Sequence, residues 1–566
     1  MGQLLRLQRI TSDMEPGILN RQFIGTAALL AGGLVLLAAV LRGVFLFFTR
    51  QTLIIMSRYV EFEQKNLLYQ QYQSLSLSFF RTHSTGDMMS RITEDVSKVR
   101  MYTGPGIMYT INTITLFIMV IVTMLWVNVE LTLYAILPLP LLCFAIYKVE
   151  SLVTRKSTQI QEKLADLTAF TQETFSGIRS VKSYVREDAV TEVFNRQSGE
   201  YRDRSMELVK INALFFPSII LLIGMSTIFT FWIGGEQIIK GVLSVGNIAE
   251  FIIYVNLLTW PVASLGWVTT LIQQAGASQK RINTFMDAKS EITSPLEGAE
   301  LNPHAGISLS FKQVSFTYPV TGIKALQAVS FEIHSGKTLA IVGKTGSGKS
   351  SLANHILRMF DPQQGEILIN QKPITEYKLE SLRKAIGYVP QDVLLFSDTI
   401  MANISFGKPS ASMAEIEAAA KFAAVEDNIL SFPDQYNTIV GEKGVMLSGG
   451  QKQRVSLARA IIKSPGLLIL DDALSAVDTK TEEDILNALQ QRQQLPDPPT
   501  VLLISHRIST VKSADLILVM DHGKIIETGT HSELLALQGD YAELYRKQLL
   551  EAEKDSPFAE FEVTEA

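Results

Sequence analysis

TLAIVGKTGSGKSSLANHIL, Thr338 to Leu357, decides how the second half of this chain is read. It opens as an apolar run, Thr338–Val342, with the look of a buried strand, and turns helical from Lys349. Between the two lies Gly343-Lys344-Thr345-Gly346-Ser347-Gly348-Lys349-Ser350, which fits G-x-x-x-x-G-K-[ST] at every position. The chemistry accounts for the residue types. Glycines let the backbone curl so that its N–H groups face phosphate oxygens. The helix that follows adds the positive end of its dipole. Lys349 places a point charge on the β- and γ-phosphates, and Ser350 offers a hydroxyl ligand to Mg²⁺. A strand before the loop and a helix after it form the context this motif requires.

The whole chain is unusually apolar. It has 566 residues, 47% of them hydrophobic and only 19% charged, with a mean hydropathy of +0.19. Net charge is −5, so nothing favours a nucleic-acid partner. The one cysteine, Cys143, lies in an apolar run and has no partner in the chain for a disulfide. The first 21 residues are mixed in polarity and carry three arginines, unlike a cleavable signal peptide.

Five apolar stretches in the first half predict membrane spans: Phe23–Val40, Ile107–Val127, Leu131–Tyr147, Ala213–Ile233 and Ile248–Val268. Pro138, Pro140, Pro217 and Pro261 lie in or beside them, and membrane helices tolerate proline better than soluble ones. The long segments Gln51–Arg100 and Glu150–Lys210 are charged, helix-compatible and rich in Lys and Arg, whereas the turns near 128–130 and 236–246 carry almost none. The positive-inside bias puts both long segments in the cytoplasm, as helical extensions of the spans. FFRTHSTGDMMSRITEDV (Phe79–Val96) and FSGIRSVKSYVRED (Phe175–Asp188) each hold a Ser/Thr-Gly break that suits a short transverse helix at the tip. Asp287–Gly306 reads as a linker, and EAEKDSPFAEFEVTEA after Leu550 as an acidic, solvated tail.

Residues 307–548 alternate strand-like runs (Ile307–Phe311, Leu339–Val342, Ala385–Val389, Leu467–Asp471, Val501–Ser505, Leu516–Met520) with helical stretches. This predicts an α/β domain with a largely parallel sheet. Asp471 closes the fourth run, about 120 residues after the phosphate loop, and is the expected carboxylate partner of Mg²⁺. Shortly before it, Leu447-Ser448-Gly449-Gly450-Gln451 opens a helix, KQRVSLARAII. As a lone pattern it is a helix cap whose donors suit a phosphate.

The order of these motifs resembles the ATP-binding cassette (ABC) family, with LSGGQ similar to the family signature. The resemblance implies that ATP and Mg²⁺ bind between two cassettes. The 343–350 loop and Ser351 of one chain would face Ser448, Gly449, Gly450 and Gln451 of the other. Tyr318 in FTYP resembles the aromatic that stacks on adenine. Gln391 in VPQD resembles the Q-loop residue that reaches Mg²⁺ and the attacking water. His506 in ISHR resembles the switch histidine at the γ-phosphate. Ser475-Ala476-Val477-Asp478 resembles the D-loop, which touches the opposite protomer, and VGEKG (Val440–Gly444) the segment that meets the transverse helices. The resemblance extends over nearly all of the chain and points to exporters with fused membrane and nucleotide halves, of the bacterial multidrug or lipid type.

The architecture expected is therefore an α-helical transmembrane bundle followed by an α/β P-loop domain. Its parts are an N-terminal segment 1–22, a membrane domain 23–286 with cytoplasmic extensions, a linker 287–306, a nucleotide domain 307–548 and a tail 549–566. The expected setting is the inner membrane of a bacterium, with the nucleotide domain cytoplasmic. The expected work is ATP-driven export of a small or amphipathic molecule, drug-like, lipid or peptide; a membrane-anchored regulatory ATPase is the alternative. The partners expected are membrane lipid, the transported molecule and a second half-transporter chain.

Two departures from the family pattern stand out. Glu usually follows the Walker B aspartate and polarises the attacking water; here the residue is Asp472. One methylene fewer withdraws the carboxylate by roughly 1.5 Å, which general-base work would feel. The expectation is a slow site on this chain and a heterodimer, in which the partner supplies Glu; a homodimer with two slow sites is the other arrangement. The second departure is a membrane half with one apolar stretch fewer than the family's. Phe23–Val40 leads into a cytoplasmic extension and the STGD break as the family's second span does. The odd count also places the tri-arginine segment outside. The expectation is that the sequence as given lacks the family's first membrane helix.

Overall fold

A computed structural model describes residues 21–441, 447–494 and 496–554. The segment 1–20, residues 442–444 of the VGEKG stretch, and the tail from 555 onward lie outside the described residues. The chain divides into two compact units. One holds the residues up to Gln73 with Gly86–Ala288; the other holds Ser74–Thr85 with Lys289 onward.

In the first unit the apolar and the charged stretches fuse into long rods. Arg21–Ser74 is one helix of 54 residues, followed by Ile107–Val127, Pro138–Ser176, Glu187–Ile239 and Val245–Met286. At 1.5 Å per residue the first rod is about 80 Å long, far more than the ~30 Å of a bilayer core. Among the described residues, four helices are long and apolar enough to cross a membrane. The expected span Leu131–Tyr147 is not one continuous helix: Val129–Ile136 ends and Pro138–Ser176 begins across Leu137. Pro138 supplies no N–H and its ring crowds the carbonyl four residues back, so the helix is interrupted there.

The membrane core is built from Met124, Leu131, Ala135, Phe251, Val255 and Leu258, all buried. The sharp turn before Val129 is fixed by Asn128. Its Oδ1 accepts from Leu131 N at 2.8 Å, and its amide donates to Gln237 at 2.7 Å. Leading into Ile107–Val127, π-helical turns Arg91–Asp95 and Tyr102–Gly106 flank Val96–Met101. A π turn shifts the following register by one residue, and Asp95 at its end is 2% exposed. Asp95 accepts from Ser278 Oγ at 2.8 Å and Arg281 Nε at 2.9 Å. Asp95→Ala removes the carboxylate that buried Ser278 and the half-exposed Arg281 share, leaving them only the bond from Arg281 to Ser278 Oγ at 3.2 Å, and is expected to cost roughly 2 kcal/mol, read as a lower thermal unfolding midpoint.

Leu75 and Ser76 precede a short helix, Leu77–Thr82, and the chain breaks again at Gly177 before Ile178–Ser183. The helices are interrupted at both expected Ser/Thr-Gly breaks: Leu77–Thr82 ends at His83, just before Ser84-Thr85-Gly86, and Ile178–Ser183 starts directly after Gly177. The first belongs to the second unit, where Leu77 packs against that unit's core.

The second unit has two sheets rather than the single largely parallel one expected. Strands β1 (Leu309–Thr317), β2 (Lys324–Ile333), β4 (Gln364–Ile369) and β5 (Lys372–Pro373) form an antiparallel sheet in the order β2-β1-β4-β5. The other sheet runs β10-β9-β3-β8-β7-β6, with β3 (Thr338–Gly343), β6 (Ile386–Val389), β7 (Leu467–Asp471), β8 (Thr500–Ile504), β9 (Leu516–Asp521) and β10 (Lys524–Gly529). All its pairings are parallel except β9 with β10. The run at 307–311 leads into β1 and so belongs to the antiparallel sheet. Burial separates the sheets: β2 alternates buried and exposed residues over its second half, whereas every residue of β7 is buried. Alternation suits a sheet wet on one face, and a continuous apolar run suits a sheet covered on both. The second half of the expected linker also joins this unit. Ala299 N donates to Glu376 O at 2.9 Å, and Leu301 is buried.

Candidate nucleotide site

Parallel strands β3, β7 and β8 lie side by side, with β7 paired to β6. Their C-terminal ends therefore open at one edge, where α/β sheets place their ligands. The 343–350 loop leaves β3 there, Asp471 ends β7, His506 follows β8, and Gln391 follows β6 by two residues. Two hydrogen bonds stitch the edge together: Asp472 N donates to Ile504 O at 2.8 Å, and Ser505 N to Ile341 O at 3.2 Å.

The loop needs its glycines where the chain crowds it. Gly348 caps the helix Lys349–Ile356 at φ 102°, and a Cβ there would meet Ala325 O at 2.3 Å. No other residue fits both the angle and the space. Lys349 is 6% exposed, and its Nζ donates to Gly343 O at 2.8 Å and Lys344 O at 2.9 Å. Burial lowers its pKa to about 8, against the pull of Asp472 and Asp471. Ser347 Oγ is buried without a hydrogen-bond partner in this loop.

Ser350 Oγ donates to Asp471 Oδ1 at 3.0 Å. Asp471 is 2% exposed, and burial pushes its carboxyl above the usual range; Asp472 adds to this, while Ser350, Lys349 and Tyr388 oppose it. Tyr388, on β6, lies close enough to Asp471 to feel its charge and is raised mainly by burial. A buried carboxylate beside a hydroxyl, with its charge incompletely offset, fits a hard cation such as Mg²⁺. Among the described residues there is no group of three or more His, Cys, Asp or Glu side chains arranged to hold a metal. Mg²⁺ at phosphates needs none, because phosphate oxygens and waters complete its shell.

Tyr318 stands just past β1, with its hydroxyl 3.0 Å from Ser351 Oγ and its ring edge-on to Phe316 and Phe360. The Arg81 guanidinium, from Leu77–Thr82, lies 4.7 Å from the centroid of that ring. Residues 448–451 sit elsewhere in the chain. Ser448 caps the helix Gly449–Ile461 in a capping box: its Oγ accepts from Gln451 N at 3.3 Å, and its N–H donates to Gln451 Oε1 at 2.9 Å. Ser448 and Gly449 are exposed. No hydrogen bond among the described residues joins them to the 343–350 loop. Asp478 caps Thr479–Arg492, accepting from Thr481 N at 3.0 Å.

These motifs and their placement decide the family. Residues 5–262 match the family model for the ABC transporter transmembrane region, and residues 326–475 that for the ABC transporter. The chain belongs to the ABC transporter family. It is 36% identical over 488 residues to the multidrug resistance-like ATP-binding protein MdlA of Escherichia coli (strain K12), covering 86% of this chain and 82% of that protein. It is 35% identical over 487 residues to the ATP-dependent lipid A-core flippase of Syntrophus aciditrophicus (strain SB), covering 86% and 80%. Among solved structures, a bacterial Atm1-family ABC exporter with ATP bound matches with a TM-score of 0.78 and 29% identity, over 94% of this chain and 93% of that one. This ABC transporter is thus a multi-pass membrane protein with a fused nucleotide domain, an ATPase coupled to transport, of the multidrug and lipid A flippase exporter type.

Sequence reading had no signal for several residues that contact the site. Arg81 precedes Tyr318 by more than two hundred residues, and Tyr388 reaches Asp471 only because β6 pairs with β7. Gln453 was also missed. Its Nε2 donates to Asp472 O at 3.3 Å and Ser475 Oγ at 3.1 Å, and its Oε1 accepts from Ala476 N at 3.0 Å.

Proposed function

We propose that this chain is one half of a dimeric exporter in a bacterial inner membrane that moves a small amphipathic molecule, such as a lipid or drug-like compound. The observation that carries the reading is the separation just described. Lys349, Ser350 and Asp471 gather at one sheet edge, while the exposed helix start at 448–451 is left to meet a second cassette. ATP would lie between Lys349, Ser350 and Tyr318 of one chain and Ser448–Gln451 of the other. Mg²⁺, held by Ser350, Asp471 and Gln391, would neutralise phosphate charge. His506 would contact the γ-phosphate, and Asp472 would orient the attacking water. The partner is proposed to be a different half-transporter with Glu at the position of Asp472. Export from proteoliposomes of a fluorescent lipid and of amphipathic dyes, compared with Lys349→Ala, tests the reading. ATP hydrolysis without movement of any of them would favour the regulatory ATPase.

Tyr318 offers a smaller test. Replacing the ring by an aliphatic chain removes stacking worth about 1 kcal/mol. Tyr318→Leu is expected to weaken ATP binding about fivefold, whereas Tyr318→Phe keeps the ring and loses only the contact to Ser351. A fluorescent ATP analogue titrated into the detergent-solubilised chain reads the difference.

A further inference from the structure

The loop that carries His506 is gripped from the far end of the chain. Gln548 lies on the helix Asp540–Lys554, 42 residues beyond His506. Its Nε2 donates to His506 O at 2.6 Å, and its Oε1 accepts from Ile508 N at 2.8 Å. One side-chain amide thus holds the backbone on both sides of Arg507. The helix is itself anchored, with Tyr541 fully buried and its hydroxyl 2.7 Å from His531 Nδ1.

Arg507 fixes the same loop from the other direction. Its N–H donates to Ser505 Oγ at 3.0 Å. Its guanidinium donates to Glu482 Oε2 at 2.9 Å and to Ser475 O at 2.9 Å. Glu482 is 3% exposed and also accepts from Thr510 Oγ1. The 505–508 backbone therefore has a side-chain partner at three of its groups: His506 O, Arg507 N and Ile508 N. A histidine has only two side-chain torsions, so the set of positions its imidazole can reach moves with that backbone.

We propose that Gln548 is a positioning residue for His506, which makes the C-terminal helix a working part of the hydrolysis site. This rests on the reading of His506 as the γ-phosphate contact. An amide is needed because the same group must donate to one backbone atom and accept from another. A carboxylate would keep the bond from Ile508 N and set two acceptors against each other at His506 O.

The test is a double-mutant cycle on the full chain, in detergent, as isolated from its membrane with any chain that accompanies it. Hydrolysis is followed in single-turnover form with radiolabelled ATP, so that slow rates remain readable. Gln548→Glu, which keeps size and shape, and Gln548→Leu are each measured alone and with His506→Ala. Either substitution is expected to lower the hydrolysis rate about tenfold, as loss of alignment does, with ATP affinity and the unfolding midpoint nearly unchanged. In the His506→Ala background the same substitutions are expected to have no further effect. Equal losses in both backgrounds, or no loss in either, would overturn the proposal. If His506→Ala alone hydrolyses ATP at the full rate, the role of His506 falls, and the role of Gln548 falls with it.

Discussion

Lys349→Ala is expected to abolish tight ATP binding at this chain's own phosphate loop and, with it, hydrolysis and transport. A charge-assisted contact to a polyphosphate is roughly twice as strong as a neutral one. Here it lies in a site where the lysine as a whole is 6% exposed, so solvent screens it little. The lysine Nζ donates to the carbonyls of Gly343 and Lys344. Those bonds hold Nζ inside the loop without offsetting its charge, and burial lowers its pKa to about 8. The sign of the pH effect follows. Near pH 8 and just above, much of the free lysine is neutral. Incoming phosphates favour the ammonium and raise its pKa, so binding must take up a proton. At pH 6.5 the lysine is already protonated and takes up none. Calorimetric titration with a non-hydrolysable ATP analogue, in buffers of different ionisation enthalpy, should show uptake at pH 8.5 that fades toward pH 6.5. Lys349→Met should retain neither the tight binding nor the uptake. Wild-type affinity in Lys349→Ala would contradict the site.

Asp472→Glu is expected to raise the hydrolysis rate at this chain's own site by about tenfold or more, and Asp472→Asn to remove most of what remains. The structure explains why side-chain length should matter so much. Asp472 N donates to Ile504 O at 2.8 Å, and Asp472 O accepts from Ser475 Oγ at 2.9 Å and Gln453 Nε2 at 3.3 Å. With both backbone groups tied, the Cα has no room to advance, and the carboxylate reaches only as far as its own bonds allow. Glutamate adds one carbon–carbon bond, about 1.5 Å. The backbone sits in the left-handed region, at φ 48°. Aspartate tolerates that region somewhat better than glutamate, so the gain in rate should come with a stability loss of up to about 1 kcal/mol. Single-turnover hydrolysis on the chain, as isolated from its membrane with any chain that accompanies it, reads both substitutions. An unchanged rate in Asp472→Glu would show that another group orients the water.

Much of the nucleotide site was legible because its chemistry is written in consecutive residues. The 343–350 stretch needs no tertiary information to be recognised. Glycines, a lysine and a serine at fixed spacing, after an apolar run and before a helix, already imply the curled backbone and its cation. The membrane half was legible for a similar reason, since a span must be apolar over its own length whatever it packs against. Where a local feature overrode that rule, at Pro138, the expected continuous span Leu131–Tyr147 came out divided.

The rest depended on residues far apart in the chain. β2 alternates only over its second half and β4 turns from three exposed residues to three buried ones, patterns that a short window does not separate from loop, and only their pairing with β1 makes them a second sheet. Ser74–Thr85 has the sequence of a turn between two membrane rods, yet it folds into the nucleotide unit, where Arg81 covers Tyr318. Asp95 finds Arg281 186 positions later, and His506 is held by Gln548 42 positions later. Such contacts leave no period and no spacing in the sequence. Each partner, read locally, is an ordinary polar residue on a helix, and only the packed fold brings its hydrogen-bonding atoms within about 3 Å of the other. The sequence by itself determined that this chain binds a nucleotide phosphate and crosses a membrane; which side chains brace the loops of the nucleotide site was decided by the tertiary structure alone.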